Sequence, residues 1–310
     1  MMSGSEPSMT RPDPERRLLP PTSLIIPTRN RPVILAETVA SVIEGDTVPT
    51  ELIVIDQSDV EHPDLGRMDS PRGCAVRYSW SPGTGLSRAR NRGIAAAHHE
   101  ILVFTDDDVR VSPSWFDTLV RALLRSGPGA VITGQVPPAE ERPDGFVPST
   151  KVDPSPAVYE GRIGADVLYP HNMAMYRSLI DSVGDFDVRL GAGTHFAGSE
   201  DNDFAFRLLE AGHRIVYVPE AVVYHRAWRP ASAYFPLRWN YGRGQGAFYG
   251  KHFNLRDRYM LWRLAHEILQ RTGRFVLLLP SDPRRAAGQM VCVAGVLSGF
   301  AEWLLTRPRA

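Results

Sequence analysis

Ile101-Leu102-Val103-Phe104-Thr105-Asp106-Asp107-Asp108-Val109 is the stretch that decides the fold. Its apolar start reads as a short buried strand, which breaks off in three carboxylates. Adjacent like charges repel and an unpaired buried carboxylate is costly, so local structure gives no reason to gather them. Residues two apart on an extended chain face the same side, so Asp106 and Asp108 aim at one point past the strand end. A hard divalent cation there would relieve the repulsion and bridge ligand phosphates. A solvated Asp-rich turn is the plainer alternative.

Upstream, Leu24-Ile25-Ile26 and Glu51-Leu52-Ile53-Val54-Ile55-Asp56 read as strands, with Ala75 to Trp80 as a third. Between them Pro32 is placed to open a helix, and Val33 to Ile43 has amphipathic spacing. Leu86 to Ala97 is an Ala- and Arg-rich helix. Downstream come a helix from about Ser112 to Arg125 and a strand from Ala130 to Val136. This alternation predicts an α/β fold with a mainly parallel, doubly wound sheet, in which ligands bind beyond the carboxyl ends of the strands. Thr28 to Asn30, Asp56 and Asp106 to Asp108 all sit at such ends and mark one cleft.

Further on, residues 137–164 are rich in Pro, Gly and charge and read as a long functional or mobile loop. His171 to Tyr176 is expected as a strand and Ser178 to Val183 as a short helix. A helix from the Ser199-Glu200-Asp201-Asn202-Asp203 segment runs through Glu210 and stops at Gly212. Two short strands, Ile215 to Val218 and Ala221 to Tyr224, end at His225. Beyond that point aromatics and arginines accumulate, with helices expected from Tyr259 to Gln270 and from Arg284 to Leu305. Tyr241-Gly242-Arg243-Gly244-Gln245-Gly246 reads as a flexible connection or as a loop closing over a ligand. The expected organisation is a disordered tail over 1–22, a catalytic domain over 23–230 and a C-terminal helical extension over 231–310.

With 310 residues and 43% hydrophobic content, the chain can bury a sizeable core. A formal net charge of +0 gives no sign of a nucleic-acid partner. Cys74 and Cys292 form neither a disulfide framework nor metal-ligand spacing, and a reducing, cytoplasmic setting fits. Met1 to Pro21 lacks the apolar core of a signal peptide. The last helix is borderline in length for a membrane span. Its flanking Arg284, Arg285, Arg307 and Arg309 suit peripheral contact with the cytoplasmic face of an anionic membrane, with packing on the catalytic domain as the default.

Several nucleotide motifs fail. Arg88 occupies the third-Gly position of a dinucleotide fingerprint in Gly83-Thr84-Gly85-Leu86-Ser87-Arg88. Gly250-Lys251 is followed by His252, with Gln245 where a P-loop needs Gly. Val111 stands where an EF-hand starting at Asp106 needs its turn Gly. No Gly-x-Ser-x-Gly elbow is present.

The surviving motifs, in order, resemble glycosyltransferase family 2. They are Leu24-Ile25-Ile26-Pro27-Thr28-Arg29-Asn30-Arg31, Glu51 to Asp56, Gly85-Leu86-Ser87-Arg88-Ala89-Arg90-Asn91-Arg92-Gly93, Phe104 to Asp108, and Gly198-Ser199-Glu200-Asp201-Asn202-Asp203-Phe204. The resemblance covers about Ser23 to Arg226. It departs at Asp56-Gln57-Ser58-Asp59, where the family more often has acids followed by Gly-Ser, and at Ser199, which replaces a frequent Gly. It implies an A-type glycosyltransferase fold and an inverting transfer from a nucleotide-diphosphate sugar to a hydroxyl acceptor. Asp106 and Asp108, with His225 as a further ligand, would hold Mg²⁺ or Mn²⁺ on the diphosphate, neutralising the leaving group. Asp201, with Glu200 in competition, would be the general base, although both also suit a helix N-terminus. Asp203 is expected on the helix surface. Pro27, Thr28, Arg29, Asn30 and Asp56 would line the nucleoside pocket, Arg90 and Asn91 would lie near the diphosphate, and Asp107 would meet the donor sugar or ribose. The rival readings are a sugar-phosphate nucleotidyltransferase, which wants a Gly-rich basic loop after the first strand, and a non-catalytic nucleotide-sugar binding protein, which has no need of Glu200 and Asp201.

Overall fold

The computed structural model describes residues 18–62, 71–140 and 144–306. Most of the expected tail, together with Arg307 and Arg309, lies outside the described residues.

In chain order the elements are β1 (Thr22–Thr28), α1 (Pro32–Ile43), β2 (Glu51–Asp56), β3 (Ala75–Trp80), α2 (Leu86–Ala96), β4 (Ile101–Phe104), β5 (Val109–Val111), α3 (Trp115–Ser126) and β6 (Ala130–Gln135). They continue with β7 (Gly145–Phe146), β8 (Ala157–Tyr159), β9 (Met173–Tyr176), α4 (Ser178–Val183), α5 (Glu200–Glu210), β10 (Arg214–His225), β11 (Arg229–Pro230), α6 (Tyr234–His252), α7 (Tyr259–Leu278) and α8 (Pro283–Thr306). Among the described residues nine strands form one sheet in the order β3-β2-β1-β4-β9-β6-β10-β5, with β8 also on β10. β3, β2, β1 and β4 run parallel, while β9 is antiparallel to both β4 and β6.

The period-2 rule explains the layering. Leu24 and Ile26 of β1 face a core with Leu35 and Val39 of α1 and Trp115 and Leu119 of α3. Ile25 faces the opposite core, with Ile94 of α2 and Phe204 and Leu208 of α5. The helix α2 approaches β1 so closely that a Cβ on Gly93 would stand 2.3 Å from Ile25 Cγ2. Parallel strands with helices on both faces leave their C-terminal ends as the open edge, and the three aspartates sit there.

Three local expectations change. The segment over 215–224 is a single strand, β10, whose pairing with β6 skips between Val218 and Val222 as a bulge around Pro219-Glu220. The long loop over 137–164 contains β7, β8 and a bridge between Val136 and Lys151. Tyr241 to Gly246 is neither loop nor connection: it lies inside α6. Its glycines are there because α8 crosses at backbone contact. A Cβ on Gly246 would fall 2.0 Å from Val296 O, and one on Gly242 2.4 Å from Cys292 O. The helix α8 is long and apolar enough to cross a membrane by length and composition, and 39% of that stretch is buried.

Candidate active site

A cleft of about 710 Å³ opens past the C-terminal ends of the strands. The loop after β1 builds one wall, and its shape comes from the unusual Gln57-Ser58-Asp59 sequence. Ser58 Oγ accepts the Asn30 N–H at 2.7 Å, and Asp59 takes Arg29 at 3.0 Å and the Asn30 amide at 2.9 Å. These bonds hold Asn30 in the left-handed region, at φ 56. Pro27, Thr28, Arg29, Asn30, Arg31 and Gln57 line the cleft.

The aspartates diverge in environment. Asp106 accepts Arg90 at 3.1 Å. Asp107 accepts Thr28 Oγ1 at 2.7 Å and Arg31 at 3.1 Å, yet burial and then the charge of Asp108 push its carboxyl up to about 6. Burial would raise Asp108 too, but His225 and Arg31, the latter at 2.8 Å, hold it below the ordinary carboxylate range. His225 Nε2 stands 3.4 Å from Asp108 Oδ1. On its other side His225 Nδ1 meets the Pro148 carbonyl at 3.0 Å, which can only accept, so that nitrogen carries the hydrogen. Nε2 therefore faces the carboxylate, an arrangement that calls for a proton or a cation between them. A backbone-anchored imidazole beside an aspartate suits an Mg²⁺ or Mn²⁺ ion. Among the described residues no three His, Cys, Asp or Glu side chains are grouped to hold a metal. Of the three expected ligands, Asp108 and His225 face each other, while Asp106 is turned to Arg90.

Across the cleft, Ser199 sits in the left-handed region at φ 62 and opens α5. Glu200 accepts the fully buried Arg90 at 3.0 Å, so one guanidinium ties Asp106 to Glu200. Asp201 accepts the Asn202 N–H at 2.8 Å and has no ion pair among the described residues. Burial, then the charges of Glu200 and Asp166, push it up to about 8.

Two pocket expectations do not reach the cleft wall. Asp56 is buried beneath it, accepting Tyr78 Oη at 2.7 Å and the Ser58 N–H at 2.8 Å. Asn91 clamps Phe186 through bonds of 2.9 and 3.1 Å to its carbonyl and N–H. Asp203 is a correction. It is fully buried rather than on the helix surface, paired with Lys251 at 2.6 Å, His252 at 2.7 Å and Arg207 at 3.0 Å, and it fastens α6 to α5.

Other lining groups escaped the sequence reading. Arg31 bridges Asp107 and Asp108. His171 stacks on His225 with ring centroids 4.9 Å apart; burial, then His225, pushes it down to about 4, so it is neutral. Arg238, Tyr241 and Gln245 of α6 and Arg271 of α7 complete the wall. Gln245 Oε1 accepts both Ser199 Oγ and the Asn202 amide at 2.8 Å, bracketing the Glu200-Asp201 pair. Arg31 lies inside a quoted motif, and Tyr241 and Gln245 lie in the Gly-rich stretch for which a loop closing over a ligand is one reading.

Residues 23–184 match the family described as Glycosyl transferase family 2. The chain is 30% identical over 173 residues to the Pre-mycofactocin glycosyltransferase of Mycobacterium tuberculosis (strain ATCC 25618 / H37Rv), covering 49% of this chain and 33% of the relative. It is 22% identical over 231 residues to the hyaluronan synthase of Pasteurella multocida, covering 74% of this chain and 22% of that one. The chain thus spans a third or less of the length of these curated relatives. Among solved structures, the mannosyltransferase PcManGT from Pyrobaculum calidifontis in complex with GDP-Man and Mn²⁺ aligns with a TM-score of 0.62 at 18% identity, over 96% of this chain and 91% of its own. TarS 1-349 from S. aureus in complex with UDP-GlcNAc aligns with a TM-score of 0.54 at 13% identity, over 92% and 91%. These likenesses show the A-type glycosyltransferase fold.

Proposed function

The chain belongs to glycosyl transferase family 2, and on that premise we propose that it is an enzyme moving a sugar from a nucleotide-diphosphate donor to a hydroxyl acceptor with inversion. The observation that carries this reading is one cleft with two differently equipped sides. Asp108 and His225 stand on one, Asp201 on the other, and Arg90 spans them through Asp106 and Glu200. The nucleoside would lie along Pro27 to Asn30 and Gln57, with Asp107 toward the ribose or sugar. The solved relatives bound to GDP-Man and UDP-GlcNAc support a nucleotide-sugar donor.

Asp108 and His225 would hold the divalent ion. When bound, that ion supplies Lewis-acid neutralisation of the leaving diphosphate. Asp201 takes the acceptor's proton. Glu200 is committed to Arg90, whereas Asp201 has no ion pair among the described residues, and its raised proton affinity makes its ionised form a strong acceptor. In this reading residues 23–230 form the catalytic domain, and the extension over 231–310 closes the acceptor side of the cleft. The same extension makes peripheral contact with a membrane.

A thermal-shift screen of nucleotide sugars with and without Mn²⁺ tests the donor and metal assignments together, because a ligand bound by the native state alone raises Tm. One nucleotide sugar should stabilise the protein in a metal-dependent way and be hydrolysed slowly, with EDTA abolishing both effects. No stabilisation by any nucleotide sugar in either condition would refute the donor assignment, and full activity after EDTA would refute the metal.

A further inference from the structure

The helix α7 is turned the wrong way round for water. An amphipathic helix normally hides its apolar stripe and exposes its polar one. In α7, Trp262, Leu269 and Val276 recur every seven residues on one face and are 53%, 70% and 62% exposed, with Leu277 beside them at 78%. Arg263, Glu267 and Arg271 point inward, while Gln270, Thr272 and Arg274 are exposed and the half-buried His266 stacks on Trp262. Arg263 is buried, with its guanidinium 5.2 Å from the Phe248 ring centre. Glu267 accepts Tyr249 Oη at 3.1 Å, and Arg271 bonds Glu267 at 2.6 Å and Gln289 at 3.3 Å while lining the cleft. Glu267, the sole acidic residue of α7, is therefore engaged on the inner side.

Exposed cations flank the stripe. Arg256 and Arg258 precede α7, and Arg274, Arg284 and Arg285 lie at its end and in the start of α8. The neighbouring acids, Asp257 and Asp282, are paired with Arg162 and Arg285. An aromatic side chain joins the rim, since Arg284 lies over the exposed Phe235 at 5.9 Å. An outward apolar stripe with arginine-rich ends has the make-up of a helix lying in a lipid interface.

We propose that α7 lies flat on an anionic lipid surface, its Trp262-Leu269-Val276 stripe in the headgroup region and the flanking arginines on lipid phosphates. This deepens the peripheral membrane contact proposed above. A second copy of the chain fits less well, because pairing two such faces gathers like-charged ends. With 20 residues, α7 gives a contact line about 30 Å long. Arg271 on its inner side sets the cleft next to that surface, within reach of an acceptor carried by lipid.

Flotation of the full chain tests this with vesicles of phosphatidylcholine alone or mixed equally with phosphatidylglycerol. The wild type should float with the mixed vesicles and much less with the neutral ones, and high salt should weaken binding. Leu269→Asp/Val276→Asp should lose at least about tenfold in vesicle affinity. Arg284→Gln/Arg285→Gln should lose about tenfold or more. In lipid-free buffer, nucleotide-sugar hydrolysis by Leu269→Asp/Val276→Asp should match the wild type. The proposal is overturned if the wild type fails to float with mixed vesicles, if Leu269→Asp/Val276→Asp floats equally well, or if sedimentation shows a wild-type dimer that this variant dissolves. Flotation without hydrolysis by the wild type would remove the transfer reading and leave this one standing.

Discussion

At the N-terminal edge of the sheet, Glu51 accepts Ser23 Oγ and the His98 N–H, each at 2.6 Å, and Arg77 at 3.0 Å. Burial alone would raise it, but those donors bring it down to about 2. At the C-terminal edge the balance reverses. Asp107 is pushed up to about 6 and Asp201 up to about 8, in each case by burial and a neighbouring carboxylate. The chemical group is the same at both edges; the supply of donors differs. The lower edge is electrically closed, whereas at the upper one Asp107 and Asp201 have too few donors to offset burial and their neighbouring carboxylates.

The strongest way to break this contrast is Asp201→Asn, expected to slow transfer by about 10²–10⁴-fold with donor affinity kept, as read by kcat and by thermal shift with donor. Asp201 must lose its proton to act, so wild-type kcat/KM should climb with pH to about 8 and then level off, and the variant should lack that limb. A raised carboxyl contributes stability that is full below its unfolded value and drains as pH rises through its folded one. Between about pH 4 and pH 8 the wild type should therefore lose Tm relative to Asp201→Asn.

Arg90→Met comes next. Removing the buried cation shared by Asp106 and Glu200 should destabilise the chain by about 3–5 kcal/mol in urea unfolding. Equal stability would mean that neither carboxylate depends on the guanidinium. At the lower edge, Glu51→Gln should cost about 1–3 kcal/mol and leave kcat untouched. Its sign is opposite to that of Asp201. The Glu51 contribution is present above 4.5, its ordinary value, and is lost as pH falls through about 2, so the difference between variant and wild type should shrink in acid. The smallest effect is reserved for Tyr78→Phe, about 1 kcal/mol, from a hydroxyl that donates to Asp56 and accepts the partly exposed His62 N–H. A drop in donor affinity there, measured by calorimetry, would place Asp56 on the nucleotide after all.

Much of the scaffold was legible because the information is local. Leu24 to Ile26 and Ile101 to Phe104 are too short and too apolar to be anything but buried strands, and Pro32 opens α1 where expected. The position of the cleft followed from the strand ends. Misreadings arose where a distant partner overrides a local rule. Glycine normally breaks helices, but Gly242 and Gly246 are retained in α6 by the backbone of α8, some fifty residues away. Asp203 looked like surface because nothing near it in sequence reveals Lys251 and His252. His171 gave no signal and Gln245 only that of its Gly-rich stretch, since each acquires its role from a ring or a loop that only the fold brings close.

The Gln245 carbonyl oxygen, shared by Ser199 and Asn202, has a consequence for relatedness within the family. The acid pair belongs to one segment of the chain and its alignment is read from another, so the two cannot diverge freely. A chimera carrying the C-terminal helices of a relative would inherit a foreign ruler for its own acid pair. It should fold and still be slow, until the residue at 245 and the glycines that seat it are restored together.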